Sequence, residues 1–190
     1  MQEQNFFANY FLYFQEKNSL DFFYNSLIYL FEHNQNGALG IVLNKEINIQ
    51  ETKIFESMKI KTKPNEKMVL NGGPVDINKL FVIHNDNDLP ESLINKDGLN
   101  LSSSLDLITQ IAKGRFGGCY KFALGYCGWD AGQLDNEIKN NNWVLVKENP
   151  EFIFQTSPKN YVKELSVKSG FEIDRILNLS LIHISEPTRR

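Results

Sequence analysis

Between residues 26 and 43 the chain reads Ser-Leu-Ile-Tyr-Leu-Phe-Glu-His, passes through Asn34-Gln35-Asn36-Gly37, and resumes as Ala-Leu-Gly-Ile-Val-Leu. Two apolar, β-branched and aromatic runs around an Asn-Gly pair predict a β-hairpin, because Asn and Gly tolerate the positive φ of a tight hairpin turn. The hairpin is one element of the sheet that an α+β domain requires.

The remaining segments supply that sheet and its cover. The aromatic run Tyr10-Phe11-Leu12-Tyr13-Phe14 reads as a buried strand, and residues 67–70, 80–84, 120–126, 143–146 and 152–154 read as further strands. Ile49, Phe55 and Met58 in polar surroundings predict a short amphipathic helix over 50–59. Ser103 is positioned to cap a helix carrying Leu105, Ile108, Ile111 and Ala112, which stops at Gly114. Asp130 and Gln133 have the spacing of an N-cap and N3 pair, predicting a helix over 130–140, and residues 158–168 form a last helix closed by Gly170. Residues 85–100 are a long polar loop. Hairpins with scattered helices define an α+β fold rather than a regularly alternating parallel one.

With 42% hydrophobic and 23% charged residues, the composition is that of one ordinary globular domain. A chain of this length buries roughly 70% of its unfolded surface and needs no metal or disulfide to stand. The net charge of −3, without a block of like charge, disfavours direct nucleic-acid binding. Cys119 and Cys127 are the only cysteines, and on one extended segment eight residues at ~3.3 Å each put them beyond disulfide reach. Reduced thiols point to the cytoplasm. The aromatic start is broken by Gln15-Glu16-Lys17-Asn18 before it could span a bilayer, so neither a membrane segment nor a signal peptide is expected. Residues 179–190 match the in-frame translation of a transposon adapter used in sequencing libraries. The expected domain is therefore 1–178, with its natural C-terminus unknown, and His183 is set aside.

Four stretches, read together, resemble the AlgH/YqgE family. They are residues 26–44, with Glu32-His33-Asn34 and Gly37-Ala38-Leu39-Gly40-Ile41-Val42-Leu43-Asn44; Asn71-Gly72-Gly73-Pro74-Val75 followed by Phe81-Val82-Ile83-His84; the run Gly125-Tyr126-Cys127-Gly128-Trp129-Asp130-Ala131-Gly132-Gln133-Leu134, closing with Glu137 and Trp143; and, more weakly, the segment from Trp143 to Gly170. The resemblance covers Phe11 to about Asn178. It implies a mixed, mostly antiparallel branched sheet closing into a partial barrel with helices packed on it. It also carries the family's usual label, transcriptional regulator. The chain departs from the family pattern near the N-terminus, where an expected proline is absent around Glu16, Leu20-Asp21 replaces Asp-Pro, and Asn25 replaces a basic residue.

Three residues are candidates for chemistry. Cys127 lies where a strand feeds a predicted helix, a position that would acidify a thiol, although Trp129 stands where a nucleophile elbow needs its second glycine. His33 and His84 each end a predicted strand and could act as general bases or orient a ligand. A candidate ligand-binding set joins His33, Asn34, Asn44, Gly72 and Gly73 to His84, Tyr126, Trp129 and Gln133. Gln133 also has a simpler reading as a capping residue, and Trp129 is either a core anchor or a pocket wall. No close Cys or His pair suggests a metal site, Asp86 and Asp88 lack the other ligands of a calcium loop, and the glycines 72, 73, 114, 117 and 118 have no phosphate-loop spacing. No cofactor is implied. The leading expectation is a regulatory protein that binds an unknown protein or small molecule without turnover; the alternative is a thiol enzyme or redox sensor built on Cys127.

Overall fold

A computed structural model describes residues 6–15, 19–63, 65–89 and 98–170. Its strands are β1 (Phe11–Phe14), β2 (Leu27–Asn34), β3 (Gly37–Val42), β4 (Glu46–Gln50), β5 (Met68–Asn71), β6 (Val75–His84), β7 (Asn100–Ser102), β8 (Tyr120–Asp130) and β9 (Trp143–Val146). Its helices are α1 (Glu51–Ser57), α2 (Leu105–Ala112), α3 (Gln133–Lys139) and α4 (Tyr161–Ser169).

The sheet runs β4-β5-β8-β3-β2-β1-β9, with β6 branching off β8 and carrying β7. Every pairing is antiparallel except β5 with β8. The result is a curled half-barrel with helices packed on it, as the resemblance implies. The long strand β8 holds it together. Its first half pairs with β5 and β6, through Leu70↔Ala123 and Phe81↔Ala123, and its second half pairs with β3, through Gly40↔Cys127 and Ala38↔Trp129.

Both faces are buried, which is why the strands read as nearly continuous apolar runs. One face, covered by α4 and a 3-10 helix over Pro150–Phe154, packs Phe11, Tyr29, Phe31, Ile83 and Ala123 against Phe152, Tyr161 and Leu165. The reverse face carries two smaller cores. Leu12, Ile28, Leu30, Val42, Cys127 and Trp129 meet Leu134 of α3, and Val69, Val82 and Phe122 meet Phe55 of α1 and Leu107 and Ile108 of α2.

Two irregularities re-aim side chains across this sheet. On β8, Phe122 and Leu124 face α1 and α2 while Ala123 faces α4; after Gly125, at φ 73°, Tyr126 faces α4 and Cys127 and Trp129 face α3. One extra residue has exchanged the faces, which is what a β-bulge does. On β2 the register jumps between Leu30 and Glu32, so that His33 pairs with Ala38 and turns toward α3.

Gly125 sits at a backbone crossing. The β5–β6 connection passes over β8 so closely that a Cβ on Gly72 would lie 2.3 Å from the Gly125 carbonyl oxygen, and one on Gly73 2.1 Å from the Tyr126 carbonyl carbon. The Gly72 N–H donates to the Leu124 carbonyl at 2.8 Å, and the Gly72 carbonyl accepts from the Val42 N–H at 2.9 Å. Close approach at a crossing, rather than a ligand loop, accounts for these glycines.

Several expected boundaries move. β4 and β7 are strands where a helix start and a loop are expected, because each needs only a few residues to extend a neighbour already in place. Residues 152–154, expected as a strand, belong to the 3-10 helix, which Asn149 caps by accepting from the Glu151 N–H and which Pro150 starts at a fixed φ. The hairpin turn is Gln35-Asn36, with Gly37 already paired to Asn34. The helix expected from Asp130 begins at Gln133, since pairing with Gly37 keeps Asp130 in β8. The expected adapter-derived tail lies outside the described residues.

The crossing yields a prediction. Gly125→Ala places a methyl 2.4 Å from the Gly73 carbonyl oxygen at a positive φ, and the unfolding free energy in urea should fall by roughly 3 kcal/mol or more. Gly117→Ala, with nothing within 4 Å of the added Cβ, should stay within about 0.5 kcal/mol of the parent.

Candidate functional site

The residues of the signature run converge on one carboxylate, that of Glu137. Its Oε2 accepts from the Trp129 indole N–H at 2.9 Å and from the Trp143 indole N–H at 2.8 Å, and its Oε1 accepts from Gln133 Nε2 at 3.0 Å. Trp129 is on β8 and Trp143 on β9, with three strands between them in the sheet, yet their rings lie 6.0 Å apart. The sheet therefore curls far enough for one helix to clamp both. Gln133 completes the clamp by accepting from the Asp130 N–H at 3.0 Å, which is half of the expected capping box; Gly132, at φ 72°, takes the N-cap position.

His33 serves the same helix. The Phe7 N–H donates to its Nδ1 at 3.0 Å, so in the neutral ring the proton sits on Nε2, which faces Asp135 Oδ2 at 3.3 Å. Phe7 stacks on the imidazole and Phe6 meets its edge. With both nitrogens engaged and only 5% of the residue exposed, His33 fastens α3 and the N-terminal segment to β2.

His84 is placed elsewhere. It pairs with Tyr120, nine positions before Trp129 on β8, and is fully buried, with the Asp86 N–H donating to its Nδ1 at 3.3 Å and Phe116 against its edge. Burial pushes its pKa below the ordinary imidazole value, against a smaller opposing pull from the Asp86 carboxylate. The structure thus brings His33, Trp129 and Gln133 together around α3 and leaves His84 apart.

The other candidates have structural partners. Asn44 accepts from the Leu27 N–H at 2.8 Å and donates to the Asn25 carbonyl at 2.7 Å, joining the exit of β3 to the entry of β2. Asn34 accepts from the Asn36 N–H inside the hairpin turn. Tyr126 packs its edge on Phe81. Cys127 is 1% exposed beneath α3 and within reach of the Gly72 carbonyl at 3.5 Å, and burial pushes its thiol pKa well up. Because the strand does not end there, Cys127 lacks the helix terminus that would have acidified it.

What stands open is a cleft of about 610 Å³ that the motif residues do not line. It forms where the approach to β1 (Ala8, Asn9), the exit of β6 (Asn85, Asn87), Gly98 before β7, and residues 147–151 after β9 come together. Tyr29 anchors one of the lining residues, Asn9. The buried phenol accepts from the Leu99 N–H at 3.2 Å and donates to Asn9 Oδ1 at 3.3 Å, and burial raises its pKa to about 12. Four asparagines scattered over three loops form no sequence motif, so only the fold assembles this lining.

A curled, branched α+β half-barrel with a helix clamped over its curl and a polar cleft among its loops defines a class of small, single-sheet proteins. The family model described as AlgH-like matches residues 11–174, and the chain belongs to that family. It is 38% identical over 143 residues to a UPF0301 protein of Ralstonia pickettii, covering 72% of this chain and 74% of that one. It is 35% identical over 157 residues to the UPF0301 protein VV2869 of Vibrio vulnificus, covering 78% and 84%. The solution structure of the AlgH protein from Pseudomonas aeruginosa superposes with a TM-score of 0.75 at 27% identity over all of both chains. Protein DIP2367 of Corynebacterium diphtheriae, at 20% identity and a TM-score of 0.62, shares the fold over 89% of this chain and 94% of that one.

Two outcomes follow from these contacts. Glu137→Ala leaves two buried indole donors unpaired and should lower the unfolding free energy by about 2–4 kcal/mol, read by urea denaturation followed through tryptophan fluorescence. For His84 the folded pKa lies below the unfolded value of about 6.5, so on acidification the unfolded chain takes up a proton that the folded chain refuses. Stability should therefore fall as the pH drops from about 7 toward the depressed folded pKa, and the slope in that window should be smaller in His84→Gln.

Proposed function

We propose that this chain is a regulatory binding protein rather than an enzyme, influencing transcription indirectly by holding a small molecule or a partner protein. One observation carries the reading: each of the three candidate reactive groups is consumed by the fold, Cys127 and His84 by burial and His33 by bonds at both ring nitrogens, while the cleft keeps polar side chains open to solvent. Its volume is within the range of ordinary small-molecule sites. No helix among the described residues is long and apolar enough to cross a membrane. The competing thiol reading would need Cys127 as a thiolate, and its buried, high-pKa environment opposes that.

A thermal-shift screen of metabolites on the full chain, paired with mass spectrometry of each hit, tests the proposal. A saturating ligand at 100 times its Kd adds about 2.7 kcal/mol of stability, a shift of several degrees, and the hit should be recovered chemically unchanged. Alkylation kinetics address the thiol directly. The exposed Cys119 should react at once and Cys127 only after denaturant is added; rapid reaction of Cys127 in the native protein at neutral pH would restore the enzyme reading.

A further inference from the structure

The hydrogen bonds around the cleft fix which way its asparagines point. A backbone N–H or a hydroxyl that already accepts elsewhere can be satisfied only by the carbonyl end of an amide. Asn85 accepts from the Cys119 N–H at 2.8 Å, and Asn149 from the Glu151 N–H at 3.0 Å. Asn9 accepts from the Tyr29 hydroxyl, which itself accepts from the Leu99 N–H. Asn87 accepts at 2.7 Å from Asn100 Nδ2, an end identified as the amine because it also donates to the Asp86 carbonyl. All four oxygens are thus spent on the protein. All four NH₂ groups, on residues that line the cleft, have no partner among the described residues.

Lys147 joins these donors in the lining, its ammonium over the Tyr10 ring at 5.6 Å from the centroid. The same lining carries two carboxylates. Glu148 has one oxygen accepting from the Asn149 N–H at 3.0 Å, and the exposed Glu151 carboxylate has no partner among the described residues. The cleft therefore offers neutral and cationic donors from Asn9, Asn85, Asn87 and Lys147 beside acceptors from the 148–151 segment. A simple anion would use the donors but meet the carboxylates; a cation would do the reverse. A ligand with both an oxyanion and an ammonium group satisfies both.

Resting on the reading of this chain as a binding protein, we propose that the cleft binds a small zwitterion carrying a carboxylate and an ammonium group, the chemistry of an amino acid or a short peptide. The carboxylate is received by the asparagine NH₂ groups and Lys147, and the ammonium by Glu151 and the free oxygen of Glu148. Neutral amide donors suit the task because they bind an oxyanion without repelling the neighbouring ammonium.

The test is nuclear magnetic resonance on the ¹⁵N-labelled full chain, titrated with free amino acids, with di- and tripeptides, and with versions of each hit acetylated at the amine or amidated at the carboxyl. Free amino acids and peptides separate the two sources of the same chemistry. The expected result is a saturable shift of the side-chain NH₂ signals of Asn85 and Asn87, with either capped version at least tenfold weaker. Asn85→Asp and Asn87→Asp keep the oxygen that the fold uses and replace only the NH₂. They should retain the parent's unliganded melting temperature and weaken binding at least tenfold, while Glu151→Gln should weaken the free-amine ligand and leave the acetylated one unchanged. The proposal is overturned if capped and free ligands bind alike, or if neutral polyols or inorganic phosphate shift these signals and zwitterions do not; in that case the binding-protein reading survives. If no compound of any class shifts a signal, the proposal falls together with the small-molecule form of that reading, leaving only its partner-protein form.

Discussion

The crossing of residues 72–73 over β8 is the contact on which the sheet depends. There the chain passes backbone against backbone, with the Gly72 amide and carbonyl bridging Leu124 and Val42, so that β3, β5 and β8 meet at a single residue. A side chain on any of the three glycines would push the strands apart. The two halves of the sheet share a single strand, because only β8 pairs with strands of both, and the crossing ties β3 and β5 together beside it. The face exchange at Gly125 follows from the same contact. It lets one strand present Phe122 to the core under α1 and α2 and Trp129 to the core under α3.

The clamp on Glu137 sets the curl. Two indole N–H groups on strands remote in the sheet share one carboxylate oxygen, and the glutamine that braces the other oxygen also closes the turn into α3. The most specific stretch of the sequence is thus architectural. With both indoles buried and both their N–H groups satisfied by one half-buried carboxylate, the network specifies one arrangement, since an alternative strands a donor. His33 acts similarly: the bulge on β2 turns it toward α3, where Asp135 and the Phe7 amide occupy both nitrogens.

Much of the fold was legible in the sequence, and the reasons are physical. The hairpin over 26–43, the strands over 10–14 and 143–146 and the helix after Ser103 announce themselves through apolar content and period. β4 carries the alternation of a strand in Ile47 and Ile49, but Ile49 also fits the spacing of the helix with Phe55 and Met58 and is assigned to it; β7 is illegible because three residues carry no period. The spacing of Asp130 and Gln133 predicts the one bond that forms between them, yet Asp130 remains in β8 because its pairing to Gly37 holds the strand extended. The cleft was illegible for a different reason. Asn9, Asn85, Asn87 and Asn149 are each unremarkable loop residues, and only the bonds that use up their oxygens give the group a common direction.

The placement of β8 has a bearing on biosynthesis. The strands before it form three local units, β1 with β2 and β3, β4 with β5, and β6 with β7, and β8 then takes one member of each. A nascent chain emerging from the ribosome therefore carries three apolar fragments that no strand pairing joins until residue 130 has cleared the exit tunnel, and β9 must follow before β1 is covered on its second edge. Such late, long-range closure is slow and leaves unpaired strand edges exposed meanwhile. For this architecture, the interval between synthesis of the first hairpin and arrival of the shared strand is the period of greatest vulnerability to aggregation and proteolysis.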